Sequence, residues 1–131
     1  MKKIAAIILA LSATLATGLQ AGDLPAGWTS YDAGKFAAAV KTSQTMVVDV
    51  HADWCPTCRA QAPILQELRR DEQLKSVRFV RVDWDKDKDF VRRYRIPRQS
   101  TIVVFRKGKE SGRSIAETNP AKLRRFVLNS V

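Results

Sequence analysis

The sequence predicts an α/β fold in which a central mixed sheet is flanked by helices on both faces. Three observations carry that reading. Apolar, β-branched runs at 45–51, 77–84 and 101–106 are separated by segments of helical periodicity. The run at 45–51 lacks the alternation of a half-exposed strand, which suits a strand buried on both faces. A turn at Lys107-Gly108-Lys109 leads from the third run into a further strand, so a hairpin adds an antiparallel edge.

In chain order, 22–30 reads as a loose lead-in. Residues 31–41 form a helix, with Phe36 and Val40 one turn apart. The strand at 45–51 carries Val47, Val48 and Val50. The segment from Pro56 to about Arg70 is helical, with Ile64, Leu65 and Leu68 facing inward. A second strand spans 77–84 and a short helix spans 88–94. Ile102, Val103, Val104 and Phe105 form the third strand, and the fourth lies near 110–116. Asn119 can cap a last helix with Pro120 in its first turn. Leu123, Phe126 and Val127 give that helix its apolar stripe. A helix joins the first two strands, so they should be parallel with a right-handed crossover.

The chain has 131 residues and opens Met1-Lys2-Lys3, followed by an apolar stretch at 4–19 and then Gln20-Ala21-Gly22-Asp23. That order reads as a secretory signal peptide, 1–21, cleaved after Ala21. The alternative is an uncleaved anchor. A spanning helix takes about 20 apolar residues, and this stretch is shorter and rich in Ala and Thr. Residues 22–131 then form one domain. The net charge of +10 falls by the two charges of Lys2 and Lys3, to +8. Such a surplus favours acidic partners or anionic surfaces. The basic residues are spread among acids with no aromatic stacking platform, so nucleic acid is not the expected partner.

There are two cysteines, Cys55 and Cys58. A disulfide between them would close a tiny loop and constrain the unfolded chain very little. Redox chemistry explains the pair better than stabilisation does. Trp54-Cys55-Pro56-Thr57-Cys58 lies where a strand ends and a helix begins, so Cys55 falls at or beside the N-cap. Free backbone N–H groups and the positive helix end favour its thiolate. Pro56 suits the first helical position. Cys58, one turn on, points the same way and can resolve a mixed disulfide formed by Cys55. A zinc site would usually need four ligands. An inert disulfide is the other alternative, and the helix-start position argues against burial of both sulfurs.

The stretch 48–59, Val-Asp-Val-His-Ala-Asp-Trp-Cys-Pro-Thr-Cys-Arg, resembles the active-site strand and turn of the thioredoxin family. Ala62-Pro63-Ile64-Leu65 is similar to that family's Pro-kinked second helix. Tyr94, the 101–105 strand, Gly108 and Leu123 fall in the same register, and the resemblance covers about 28–131. It implies a thioredoxin fold. The Pro56-Thr57 dipeptide is similar to that of periplasmic thioredoxins of cytochrome c maturation. The resemblance also implies that Asp49 is the buried acid beneath the resolving cysteine, able to accept the Cys58 proton, and that Arg81 is its partner. A plain buried ion pair remains the alternative. Trp54 matches the tryptophan flanking the nucleophile, or merely shields the site.

Three residues depart from the family pattern. Ser100 stands where the family has a cis-proline, and a non-proline cis bond costs about 2.5–4 kcal/mol, so a trans bond is expected. Its backbone could pair with an extended client, and its hydroxyl could hydrogen-bond a thiolate. Ser100 and Thr101 would line the substrate groove. His51 replaces an aromatic residue; it is a packed imidazole, a tuner of the thiolate, or a third metal ligand with Cys55 and Cys58. Ala116 replaces a glycine bordering the groove. Arg59 and Arg98 should line the rim. The expected function is a soluble, monomeric, periplasmic thiol–disulfide oxidoreductase that reduces disulfides of exported proteins. It needs no cofactor and is re-reduced by a membrane electron donor. A copper-binding metallochaperone using Cys55, Cys58 and His51 is the alternative.

Overall fold

The computed structural model describes residues 24–131, so the expected signal segment lies outside the described residues. The elements run β1 (Trp28–Ser30), α1 (Ala33–Lys41), β2 (Met46–His51), α2 (Pro56–Arg69), β3 (Arg78–Asp83), α3 (Lys88–Arg93), β4 (Thr101–Arg106), β5 (Lys109–Ile115) and α4 (Pro120–Ser130). The sheet order is β1-β3-β2-β4-β5. β1, β3 and β2 are mutually parallel, while β4 and β5 run antiparallel, with a bulge between Val104 and Phe105.

Every residue of β2 is buried, as its unbroken apolar run predicts for the central strand. Alternate residues feed two cores. Val47 joins Leu65, Leu68, Leu123 and Val127 under α2 and α4. Met46, Val48 and Val50 join Phe36 and Phe90 under α1 and α3. Lys107 and Gly108 both have positive φ, the conformation a two-residue hairpin turn needs to match strand twist.

Three boundaries differ from expectation. The lead-in is not loose: Trp28, Thr29 and Ser30 pair with Phe79, Val80 and Arg81. Three residues are too few to show a period, and Trp28 alone is buried, packing edge-on to Phe79 at 5.1 Å with its indole N–H on Gln66 at 3.0 Å. α1 begins at Ala33 rather than at Tyr31, because the Asp32 side chain accepts from the Lys35 N–H. β3 ends at Asp83 because its carboxylate accepts from the N–H groups of Asp85 and Lys86 and turns the chain.

Trp28 is the anchor of β1, so Trp28→Ala should cost about 3–5 kcal/mol, the usual range for truncating a buried aromatic. Urea unfolding of the two proteins measures the loss.

Candidate active site

β2 delivers the chain to the site. Ala52 accepts from the Cys55 N–H at 3.1 Å, and this turn places Cys55 as the N-cap of α2. The Cys55 sulfur accepts from the Cys58 N–H at 3.1 Å, filling the place of a Ser or Asp cap. Pro56 occupies the first turn, where no N–H is needed. Cys58 follows one turn later on the buried face of α2. Both cysteines carry free thiols.

Ser100 closes the site. Its Oγ lies 3.1 Å from the Cys55 sulfur and 3.2 Å from the Cys58 sulfur. The peptide bond before it is trans, as expected for a non-proline residue. Its φ is +64°, a conformation that proline, locked near −65°, cannot adopt. Its N–H donates to the Val50 carbonyl at 2.8 Å, and its carbonyl accepts from the Ala116 N–H at 2.9 Å. The expectation that Ser100 backbone groups are free to pair with a client therefore fails, because β2 and the end of β5 already use them. Ala116, which stands for a groove glycine, has φ +56°. Thr101 is fully buried and its hydroxyl donates to the Arg98 carbonyl, so it lies under the groove rather than along it.

Both cysteines are 1% exposed. That overturns the expectation of an open sulfur at the helix start. Ala52 and Trp84 pack around the pair, and Ser100 sits on both sulfurs. Trp54 is the exposed flank at 57%, held by its indole N–H on Asp85 at 2.8 Å. Pro56 is exposed and Thr57 half-buried beside it. Arg59 and Arg98 are exposed; Arg59 donates to the Asp53 carbonyl and Arg98 to the Gln99 carbonyl.

One side chain at the site went unforeseen. Gln61 is fully buried and donates to the carbonyls of Ser100 and Glu117. Its position three residues after Cys58 on α2 marked it as sharing that face.

The two thiols differ electrostatically. Burial works against a Cys55 thiolate, but hydrogen bonds from Cys58, Ser100, the Cys58 N–H and Gln99 outweigh it and lower the thiol below its ordinary value. Cys58 is pushed up to about 11, first by burial and then by its hydrogen bond to Cys55.

Asp49 and Arg81 face each other in the parallel register of β2 and β3. The guanidinium donates to Asp49 Oδ2 at 3.2 Å. Burial raises the carboxyl above its ordinary value, opposed by Arg81 and His51. Among the described residues, Asp49 Oδ1 has no partner and no hydrogen bond joins Asp49 to either cysteine. His51 turns to the carboxylates, with Nδ1 3.7 Å from Asp49 and Nε2 3.3 Å from Asp53. Among the described residues, no three His, Cys, Asp or Glu side chains gather to hold a metal. The copper alternative has no support in this arrangement.

The thioredoxin family profile matches residues 28–129. The chain belongs to the thioredoxin family. It is 31% identical over 96 residues to the thioredoxin of Echinococcus granulosus, covering 73% of this chain and 87% of that one. The structure is similar to Trxlp from Edwardsiella tarda EIB202, with TM-score 0.71, 34% identity and coverage of 75% of this chain and 97% of the other. Mitochondrial thioredoxin 3 of Saccharomyces cerevisiae gives a TM-score of 0.68 at 26% identity, covering 78% and 94%. The thioredoxin fold and the Trp54-Cys55…Cys58 arrangement are those of a thiol–disulfide oxidoreductase acting on disulfide-bearing proteins.

Two outcomes follow for this thioredoxin. Alkylation followed by peptide mass spectrometry across pH should give Cys55 a midpoint below that of an ordinary thiol and Cys58 one of about 11. Asp49 has its own signature. Between the ordinary carboxyl value of 3.8 and its raised one, the folded protein keeps a proton that the unfolded chain has lost. Its contribution to stability therefore falls as pH rises through that window and levels off above it. Urea midpoints of wild type minus those of Asp49→Asn should decline over the same range.

Proposed function

We propose that this thioredoxin reduces disulfides of exported proteins in the periplasm, with Cys55 as nucleophile, Cys58 as resolving thiol and Asp49 as proton acceptor. The observation that carries the assignment of roles is the unequal capping of the two sulfurs. Cys55 receives the Cys58 N–H at the start of α2, whereas burial outweighs the Ala52 backbone donor at Cys58 and pushes its thiol up to about 11. A thiolate forms where donors converge.

The Cys55 thiolate attacks one sulfur of a client disulfide. A Cys55–client bond forms, the client S–S bond breaks, and one client thiolate leaves and takes a proton from water. Cys58 then loses its proton and attacks the Cys55 sulfur. The Cys55–Cys58 bond forms, the mixed disulfide breaks, and the second client thiol is released. The client gains two electrons, and the enzyme loses them as its dithiol becomes one disulfide. Asp49 suits the proton step because its carboxyl is buried, has a raised pKa and leaves Oδ1 unpartnered. Its two neighbours His51 and Arg81 line a groove open to solvent.

Export is supported by the charged, apolar and small-residue order of residues 1–21. In an oxidising compartment the spent disulfide needs a membrane-embedded dithiol donor. The chain acts as a monomer in this reading.

Cys58→Ser, expressed with its N-terminal segment, should accumulate mixed disulfides through Cys55 with exported proteins, visible as thiol-sensitive bands. Cys55→Ser should accumulate none and should lose reduction of a model protein disulfide. Absence of any covalent client on folded Cys58→Ser overturns the assignment, and clients confined to the cytosol overturn the compartment.

A further inference from the structure

The hydroxyl of Ser100 touches both sulfurs, yet nothing in the two-cysteine chemistry requires it. Its backbone is held on three sides: by Val50 in β2, by Ala116 after β5 and by Gln61 in α2. It is fully buried and is held at φ +64°, a conformation a non-glycine residue adopts at a cost. Strain that persists in a buried residue at a reacting centre points to a use.

A hydroxyl has one hydrogen to donate and two lone pairs to accept with. An ionised Cys55 sulfur can only accept, so the hydroxyl hydrogen goes to it. The Cys58 sulfur lies 3.2 Å from the same oxygen, so the hydroxyl sits against both sulfurs, 3.1 Å from Cys55. In the disulfide the charged acceptor vanishes, and a disulfide sulfur is a poor acceptor. The buried hydroxyl then loses its partners without gaining water. Its hydrogen bonds therefore favour one redox state selectively.

We propose that Ser100 is a positioning residue whose hydroxyl stabilises the reduced dithiol over the Cys55–Cys58 disulfide, making this thioredoxin a milder reductant than the same site without it. This rests on the dithiol reading given above.

The test is equilibration with glutathione. Two glutathione thiols become one glutathione disulfide as the Cys55–Cys58 bond breaks; the pair gains two electrons and one proton, and the second proton goes to solvent. Wild type, Ser100→Ala and Ser100→Gly are compared by thiol labelling and mass. Alanine keeps the backbone cost and glycine relieves it, but both remove the hydroxyl. Both should shift the equilibrium about tenfold toward the disulfide, about 30 mV more negative for a two-electron couple. Both should also raise the pH midpoint of Cys55 alkylation, a quantity that mere packing would not move. Wild-type potential and midpoint in both variants overturn the proposal while leaving the dithiol reading intact. A shift in one variant alone overturns it too, because the effect then comes from the backbone. A wild type that never forms the Cys55–Cys58 disulfide overturns both readings together.

Discussion

The N–H of Cys58 lies in the first turn of α2, where the helix offers no carbonyl to receive it. The Cys55 sulfur, 3.1 Å away, takes that place. This contact ties structure to chemistry in both directions. A helix start needs an acceptor, and a sulfur that accepts is a sulfur moved toward its thiolate. The rest of the fold exists around that point. β2 is buried along its whole length, so its end is rigid, and α2 is clamped by Leu65 and Leu68 against the sheet. The same geometry in a loop would leave the sulfur to solvent and cap nothing.

A second constraint lies one layer beneath. Asp49 and Arg81 are neighbours across two parallel strands at the sheet centre. A carboxylate there is costly unless paired, and pairing with Arg81 leaves one oxygen unsatisfied. Apolar residues of the same size are often as stable or more so at such a position. The acid thus sits at the sheet centre at a standing cost to folding. His51 adds to the same cluster rather than to the sulfurs.

The parts of this architecture that were legible in the sequence are those with a local cause. The strand at 46–51 showed itself through an unbroken apolar run, α2 through Pro56 after a cysteine, and α4 through Asn119 and Pro120. β1 was not legible, since three residues show no period and its partner β3 lies some fifty residues on. At the site, the cysteines, Asp49, Trp54 and the serine at the usual proline position could be placed by register. The burial of both sulfurs could not, because it depends on which loop folds over them and on Ser100 adopting a left-handed backbone. Thr101 looked like groove lining for the same reason: its neighbour's conformation turns it inward. Gln61 carried a faint signal, a polar residue on the face shared by Cys58 and Leu65.

The two rims of the sheet differ in how they discourage company. β1 is three residues long, too short a ledge for another chain to grip. β5 is longer, but Lys109, Glu110 and Arg113 bristle from it, and Arg113 grasps Glu110 through two nitrogens at 2.6 and 2.9 Å. The kink beside Val104 bends this border out of plane. An open sheet must keep its own ladder from recruiting other chains. Here that protection is written into the borders.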